Sequence, residues 1–268
     1  MSRINHLFHR LKKEKRPALI GYLTAGDPDF ESSCEILDAA CEAGLDLLEL
    51  GIPFSDPMAD GPVIQRASTR AITAGMTLEK GIEMVRRLRQ RHELPIIIFS
   101  YYNPIHALGP ERFLRETMQA GADGVLVVDL PHEQAEEIMQ HAGSTEPFHF
   151  IRLIAPTTDS QRRNAILKRA DGFVYIVSRR GVTGNDVGGK GGIDWTALSN
   201  EVTAMRQETH APLCVGFGIE SAEDARKIGR FADGVIIGSA FQRLIEREPA
   251  TAGPTVAAAI REIRCSLV

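Results

Sequence analysis

The chain has 268 residues, of which 43% are hydrophobic and 25% are charged, with a formal net charge of −4 and a pI of about 6.1. That length suits one substantial core, and the lack of a basic surplus argues against a nucleic-acid partner. No apolar run approaches the roughly 20 residues that cross a membrane, and the cysteines form no C-x-x-C motif, so we expect a reduced, cytoplasmic protein.

The first predicted element is a short amphipathic helix. Ile4, Leu7, Phe8 and Leu11 recur at i, i+3, i+4 and i+7, and lysines follow at positions 12, 13 and 15. This segment is too charged for a signal peptide. We therefore expect an extra helix ahead of the first strand.

Short apolar runs predict eight strands, and four of these runs follow a loosely repeated turn. The turn reads A-G-L-D at 43–46, A-G-A-D-G at 120–124, R-A-D-G at 169–172 and F-A-D-G at 231–234. Apolar, β-branched runs of this kind are typical of strands buried on both faces of a parallel sheet. The predicted strands cover 18–23, 47–50, 95–99, 125–128, 148–154, 173–177, 212–216 and 235–238.

Helical patterns fill the gaps between the predicted strands. Eight strands alternating with helices over about 250 residues are typical of a (β/α)8 barrel, and an open, doubly wound sheet is the alternative. No proline, glycine or serine cluster marks a boundary, so we predict a single barrel domain over 1–268 with an extra N-terminal helix. The clearest helical patterns cover 78–91, 110–119, 133–141, 222–230 and 255–267.

Two acidic residues follow the start of the second predicted strand, on the side where a barrel places its active site. Side chains alternate along a strand, so Glu49 shares a face with Leu45 and Leu47. If that face lines the barrel, burial raises the pKa of Glu49 toward the value of a neutral-pH acid or base; otherwise Glu49 pairs with a basic residue at the rim. Asp60 is either a second catalytic carboxylate or the N-cap of a helix beginning near Pro62.

Glycines at the ends of the seventh and eighth predicted strands indicate a phosphate site. Gly216, Gly218 and Gly238 leave backbone N–H groups beside helical segments, and Ser239 adds a hydroxyl donor. The alternative is a pair of tight turns. The glycine-rich segment 179–193, after the sixth strand, predicts a mobile lid.

The sequence lacks the residue patterns that three other kinds of chemistry require. No lysine falls in a predicted strand, so a Schiff-base mechanism is disfavoured. The eight histidines lack metal-ligand spacing, and His149 is better explained as a packed or hydrogen-bonded side chain. A partial P-loop pattern at 184–190 has glycine where serine or threonine would bind magnesium. What remains is carboxylate acid–base chemistry on a small phosphorylated substrate.

The segment Leu48–Pro62, which reads LELGIPFSDPMADGP, resembles the signature of the tryptophan synthase α subunit family. The resemblance spans nearly the whole chain. It implies the barrel fold, a cytoplasmic role in tryptophan biosynthesis, and retro-aldol cleavage of indole-3-glycerol phosphate to indole and glyceraldehyde 3-phosphate. Further matching segments follow in family order at 101–105, 129–131, 178–179, 181–184 and 215–219.

The resemblance also implies roles for individual residues. Glu49 would transfer protons at the glycerol hydroxyl and at the indole carbon, and Asp60 would hold the indole N–H and stabilise positive charge on the ring. Tyr175 resembles a substrate-pocket residue, Phe217 lies beside the indole pocket, and Thr183 resembles the lid residue that meets Asp60. The implied phosphate cradle consists of Gly184, Gly218, Gly238 and Ser239.

The family's α subunit works with a β subunit that carries pyridoxal phosphate. The resemblance therefore implies no cofactor and no metal in this chain, and a β-subunit partner in an α2β2 complex. Pro53, Asp56 and Pro57 resemble the surface that faces that subunit.

Two departures from the family pattern stand out. Val128 occupies a position where the family usually has proline, and segment 185–194 is unusually rich in glycine, which increases the entropy lost when a lid becomes ordered. Two alternatives to the complexed lyase stay open at this point. One is a free-standing indole-releasing lyase, and the other is a binding protein that acts mainly as an allosteric partner.

Overall fold

The strands of the computed structural model form a closed ring, and the residues that it describes are 1–142, 147–178 and 193–268. Every strand pair is parallel, and neighbours along the chain are neighbours in the ring. The last strand pairs with the first, which confirms the (β/α)8 barrel and excludes the open, doubly wound sheet. The strands are β1 (Ala18–Thr24), β2 (Leu47–Gly51), β3 (Ile96–Ser100), β4 (Gly124–Val127), β5 (His149–Phe150 and Arg152–Ile154), β6 (Val174–Val177), β7 (Leu213–Gly216) and β8 (Gly234–Ile237).

The fifth strand closes the ring as two short segments. Residues His149–Phe150 pair with β4, and residues Arg152–Ile154 pair with β6. Between them, the backbone N–H of Ile151 donates to the carbonyl of Val125 at 2.8 Å. The strand predicted over 148–154 is therefore one run of chain that changes partner in its middle.

Helices cover the outside of the ring. The predicted N-terminal helix is confirmed at Arg3–Glu14, whereas the helix predicted over 133–141 is shorter, because a 3-10 turn at His132–Gln134 comes first. Within the described ranges, no helix is both long and apolar enough to span a membrane. The helices are α1 (Arg3–Glu14), α2 (Phe30–Glu42), α3 (Pro62–Thr73), α4 (Leu78–Arg89), α5 (Tyr102–Leu108), α6 (Pro110–Ala120), α7 (Glu136–Met139), α8 (Ser160–Lys168), α9 (Trp195–Met205), α10 (Ala222–Ile228), α11 (Ser239–Arg247) and α12 (Ala252–Ser266).

Apolar side chains pack in two clusters, one inside the barrel and one between the strands and the outer helices. Ile4, Leu7 and Leu11 of α1 belong to the inner cluster, so α1 covers the end of the barrel at which the strands begin. Leu47 of β2 also belongs to the inner cluster, as alternation predicts. Leu45 packs in the outer cluster instead, because it precedes β2, and the expectation that it shares the face of Leu47 is wrong.

The repeated turn joins the strands in pairs. Each of its aspartates precedes an even-numbered strand and binds the start of the strand before it. The carboxylates of Asp46, Asp123 and Asp233 accept hydrogen bonds of 2.8–2.9 Å from backbone N–H groups at the start of β1, β3 and β7. A carboxylate oxygen of Asp171 lies 2.8 Å from Nδ1 of His149, which is buried at the start of β5. The repeat thus divides the barrel into four pairs of strands, and in each pair an aspartate before the second strand contacts the start of the first.

Candidate active site

A cavity opens at the end of the barrel where the strands finish. Its floor includes Tyr22 of β1, Phe99 of β3, Tyr175 of β6 and Ile236 of β8. The empty space measures about 430 Å³, counting the open mouth. The rim is formed by residues that follow β2, β7 and β8, namely Asp60, Ile64, Phe217, Gly218, Ile219, Gly238 and Ser239.

Glu49 lies on the inward face of β2 and is completely buried. In the strand register it stands between Tyr22 of β1 and Ile97 of β3, both of which belong to the inner apolar cluster. Among the described residues, neither carboxylate oxygen has a hydrogen-bond partner. Burial raises the pKa of Glu49 to about 8, because an unpaired charge is unfavourable in this environment. The alternative of an ion pair at the rim is therefore wrong.

Asp60 lies in the loop after β2 and is 8% exposed. The hydroxyl of Tyr101 donates to its Oδ2 at 3.0 Å and accepts from the backbone N–H of Ala59, also at 3.0 Å. Burial raises the pKa of Asp60 to about 6, although the Tyr101 hydrogen bond favours the ionised form. The N-cap of α3 is Gly61, one residue further on, so the interpretation of Asp60 as that N-cap is wrong.

The two carboxyl groups therefore hold different charges at neutral pH. With a pKa of about 8, Glu49 keeps its proton at pH 7, whereas Asp60, with a pKa of about 6, is mostly ionised. Two acidic groups whose pKa values are separated in this way are suited to distinct roles, one as a proton donor and one as a fixed anion. The environment of each side chain creates this division.

Two buried tyrosines shape the cavity floor. Burial raises the pKa of the Tyr22 and Tyr175 hydroxyls well above the ordinary value, so both stay neutral donors. Each ring lies where a neighbouring strand has glycine. A side chain at Gly51 would overlap the Tyr22 hydroxyl, and one at Gly216 would overlap the Tyr175 hydroxyl. These glycines are needed because the rings cross the ends of the adjacent strands.

The opposite rim of the cavity is formed by the turns after β7 and β8. Ser239 is 5% exposed and begins α11, and Gly238 is the N-cap of that helix. The start of a helix presents backbone N–H groups and favours an anion. Phe217 and Gly218 both have a positive φ, of 74° and 73°, and the Phe217 carbonyl accepts a hydrogen bond from the Ser178 hydroxyl. The segment Phe217–Gly218 is therefore a tight turn, as the alternative interpretation expects, and it also lines the cavity.

The structure brings most of the predicted site residues together. Asp60, Tyr175, Phe217, Gly218, Gly238 and Ser239 line one cavity, and Glu49 is beside Tyr22 of its floor. Thr183 and Gly184 lie outside the described residues. The described residues contain no group of three or more side chains suited to a metal ion.

The three residues predicted to face a partner lie in the loop after β2 but differ in exposure. Asp56 is exposed, Pro57 is half-buried and Pro53 is buried. The hydroxyl of Ser55 donates to the Asp56 carboxylate at 2.5 Å. Next to them, Met58 is 87% exposed.

Two residues of the site, Tyr22 in the cavity floor and Tyr101 beside Asp60, were not predicted from the sequence. Tyr22 stands two residues after Ile20 on the inward face of β1, and alternation along that strand is the signal that points to it. Tyr101 follows β3 directly, where a barrel active site is expected. Its hydrogen bond to Asp60 has no signal in the sequence, because the two residues are brought together only by the fold.

The family model described as tryptophan synthase alpha chain matches residues 8–265. Among curated proteins, the tryptophan synthase alpha chain of Desulfosudis oleivorans is 51% identical over 246 residues, which is 92% of this chain and 91% of that protein. The tryptophan synthase alpha chain of Desulfatibacillum aliphaticivorans is 49% identical with the same coverage.

Solved structures show the same similarity. Tryptophan synthase subunit alpha from Legionella pneumophila has a TM-score of 0.88 and 34% identity, covering 100% of this chain and 98% of that one. A chain of tryptophan synthase from M. tuberculosis, in an aminoacrylate-bound form, has a TM-score of 0.88 and 28% identity, with 100% of both chains covered.

Proposed function

The chain belongs to the tryptophan synthase alpha chain family, whose members are lyases of tryptophan biosynthesis, and from that premise we propose that it cleaves indole-3-glycerol phosphate into indole and glyceraldehyde 3-phosphate. The observation that carries this proposal is Glu49, a buried carboxyl group without a partner among the described residues. Its pKa of about 8 suits a group that both gives and takes a proton near neutral pH.

The reaction needs one proton to be given and one to be taken. Protonated Glu49 donates to the indole carbon that bears the glycerol chain, which leaves positive charge on the ring. The Glu49 carboxylate then takes the proton from the hydroxyl on the adjacent glycerol carbon. As that hydroxyl becomes a carbonyl, the carbon–carbon bond breaks and its electron pair returns to the ring. Indole and the aldehyde result, and Glu49 regains its proton.

Asp60 stabilises the charged stage of this sequence. It is ionised when Glu49 is protonated, so a negative charge faces the ring as positive charge develops there. The indole N–H donates to its carboxylate. Tyr101 holds Asp60 through the 3.0 Å hydrogen bond, which limits the reorganisation needed during the reaction.

The substrate phosphate binds on the other rim. Backbone N–H groups at the start of α11, the Ser239 hydroxyl and the turn at Gly218 surround that end of the cavity. Tyr175 and Phe217, whose rings meet edge to face with centroids 5.9 Å apart, separate this rim from the barrel interior and contact the indole. The two rims thus fix the substrate at both ends while Glu49 acts between them.

The chain acts as a partner of a pyridoxal-phosphate β subunit in an α2β2 complex in the cytoplasm, and residues 1–268 form one domain. We assign the loop after β2, in which Asp56 and Met58 are exposed, as the surface that faces this partner, because the loop leads to Asp60 at the rim of the cavity. None of the described residues that line the cavity is a lysine, and we assign the pyridoxal phosphate to the partner.

The decisive experiment is an assay of indole release from indole-3-glycerol phosphate, with and without an added β subunit. We expect slow release by the chain alone and faster release in the complex. Equilibrium sedimentation of the same mixtures separates a complexed subunit from a free-standing lyase. Absence of indole release in both conditions would contradict the proposed reaction and favour an allosteric binding role.

A further inference from the structure

A second groove lies at the opposite end of the barrel from the candidate active site. One wall is a face of α1. The other walls include Pro17, Pro212 and Ala232, which lie just before β1, β7 and β8. The outer wall is formed by Ser199 and Thr203, which belong to α9. Its volume is about 830 Å³, which is ample for a small organic ligand.

The side chains lining this groove are strongly cationic. They include five lysines and arginines but one acidic residue, Asp233, so the formal charge of the lining is +4 with its two histidines neutral. The whole chain has a formal charge of −4. The positive charge is therefore concentrated in one concave place on an acidic protein, and concave walls strengthen the local potential. The cationic lining residues are Lys12, Lys15, Arg16, Arg206 and Arg230.

Structural ion pairs account for only part of this charge. Arg16 binds Asp46 at 2.7 Å, and Arg206 binds Asp233 at 2.9 Å. Lys12, Lys15 and Arg230 are exposed, and none of the three has an ion-pair partner within the described part of the chain. Since Arg16 and Arg206 are engaged at the groove walls, the other three cations are the ones available to a ligand.

Aromatic side chains accompany the free cations. Phe8 of α1 and Phe231 before β8 line the groove and are half-buried, so part of each ring is accessible. Beyond Arg230 and Phe231 the groove continues to Trp195, the only tryptophan of the chain. The Lys227 ammonium lies 5.5 Å from the centroid of that ring. Planar apolar surface and positive charge therefore alternate along the groove.

We propose that this groove binds a nucleotide that carries two or three phosphates. Lys12, Lys15 and Arg230 contact the phosphates, since they line the same groove and none of them has an ion-pair partner within the described part of the chain. The base packs against the accessible ring of Phe231, toward Trp195. The site is distinct from the proposed lyase site, because it lies at the strand starts while Glu49 and Ser239 lie toward the strand ends.

The test is a titration of the full chain with ATP, inorganic tripolyphosphate and adenosine, followed by Trp195 fluorescence and by calorimetry. The variants are Lys12→Ala, Lys15→Ala and Arg230→Ala. Lys13→Ala is the matched control, because Lys13 is an exposed lysine of the same helix that is not part of the groove lining. ATP should bind more tightly than either tripolyphosphate or adenosine. Each groove variant should weaken ATP binding by about tenfold, as expected for one lost charged contact, and the control should leave it unchanged.

Three results would overturn the assignment. If Lys13→Ala weakened ATP binding as much as the groove variants do, only the overall positive charge of α1 would matter. If tripolyphosphate bound as tightly as ATP, the nucleoside part of ATP would contribute nothing to binding in this groove. A single-stranded oligonucleotide that binds more tightly than ATP through the same residues would identify the groove as a nucleic-acid surface. Circular dichroism of every variant checks that the fold is retained.

Discussion

Acidic side chains are buried at both ends of the barrel, but their surroundings differ. At the strand starts, Asp46 accepts hydrogen bonds from a backbone N–H of β1 and from Arg16, at 2.7–2.9 Å. Asp123 accepts from the start of β3 and from Arg89 at 2.9–3.0 Å. At the strand ends, Glu49 has no partner among the described residues. The same chemical group is thus satisfied in Asp46 and Asp123 at the strand starts and left unsatisfied in Glu49 at the strand ends.

We infer from this difference that Asp46 and Asp123 serve stability, whereas Glu49 serves function. A buried carboxylate with paired donors holds adjoining elements together, whereas a buried carboxyl group without donors reduces stability whenever it must ionise. The burial of Glu49 without a partner among the described residues is therefore not explained by stability, and perturbed groups of this kind cluster at functional sites. If the two ends divide the work in this way, substitution of Glu49 should impair activity and substitution of Asp123 should impair stability.

The largest effect should come from Glu49→Gln, which keeps the size of the side chain and removes its acid–base chemistry. We expect kcat for indole release to fall by about 10²–10⁴-fold, the usual range for lost general acid–base catalysis. Glu93→Gln is the control, because Glu93 is an exposed glutamate at the other end of the barrel. A near-normal rate in Glu49→Gln would remove this residue from the mechanism.

At the strand starts, the expected loss is one of stability. Asp123→Ala leaves Arg89 and the backbone N–H of Ile96 without their acceptor, so we expect the free energy of unfolding to fall by about 3 kcal/mol. Glu93→Ala is a matched control, because Glu93 pairs with Arg3, as Asp123 does, but is exposed. It should change stability by less than about 1 kcal/mol. Urea denaturation measures both, and equal losses would contradict the division between the two ends.

Glu49 should also give the protein a characteristic dependence of stability on pH. Its pKa is about 8 in the folded state and near the ordinary 4.5 in the unfolded chain. Between these values the folded protein holds a proton that the unfolded chain has released, so raising the pH favours unfolding. The contribution is fully present below about pH 4.5 and is lost as the pH rises to about 8, and a pKa of about 8 against 4.5 corresponds to on the order of 5 kcal/mol.

The measurement is the unfolding free energy of the unmodified chain and of Glu49→Gln at several pH values from 5 to 8. The substitution should make the protein relatively more stable as the pH rises, while its activity stays low. Parallel pH curves for the two proteins would mean that Glu49 is not held protonated by its surroundings.

The fold was largely predictable because its signals are local. Apolar runs and the repeated turn identify the strands, and alternation along β2 puts Glu49 on the same face as Leu47, but only the structure shows that this face lines the barrel. The carboxylate partners were not predictable in the same way. Tyr101 reaches Asp60 across 41 positions of chain, and Arg89 reaches Asp123 across 34. Such contacts depend on how loops and helices are placed in space, which sequence periodicity does not specify.

In the part of the chain that the structure describes, Asp60 is intermediate between the buried carboxylates that have several hydrogen-bond donors and Glu49, which has none, because Tyr101 is its one side-chain donor. Asp60→Asn keeps an oxygen that accepts from the indole N–H and removes the negative charge. We expect a fall in kcat of about tenfold to a hundredfold, less than for Glu49→Gln. In the unmodified enzyme, activity should fall as the pH drops through about 6, where Asp60 becomes protonated. A pH profile measured on Asp60→Asn should lack that limb, and its persistence would assign the limb to another group.

The smallest effect is expected at Ser239, whose hydroxyl is one of several donors at the start of α11. Ser239→Ala should raise KM by about three- to tenfold and change kcat less, because the phosphate is held equally in the substrate and in the transition state. Inorganic phosphate tested as a competitive inhibitor should weaken in parallel. If kcat fell instead while KM stayed constant, the serine would have to act at the reacting bond. The strand ends would then contain a catalytic group beyond the two carboxyls, and the contrast between the ends of the barrel would no longer rest on carboxylates alone.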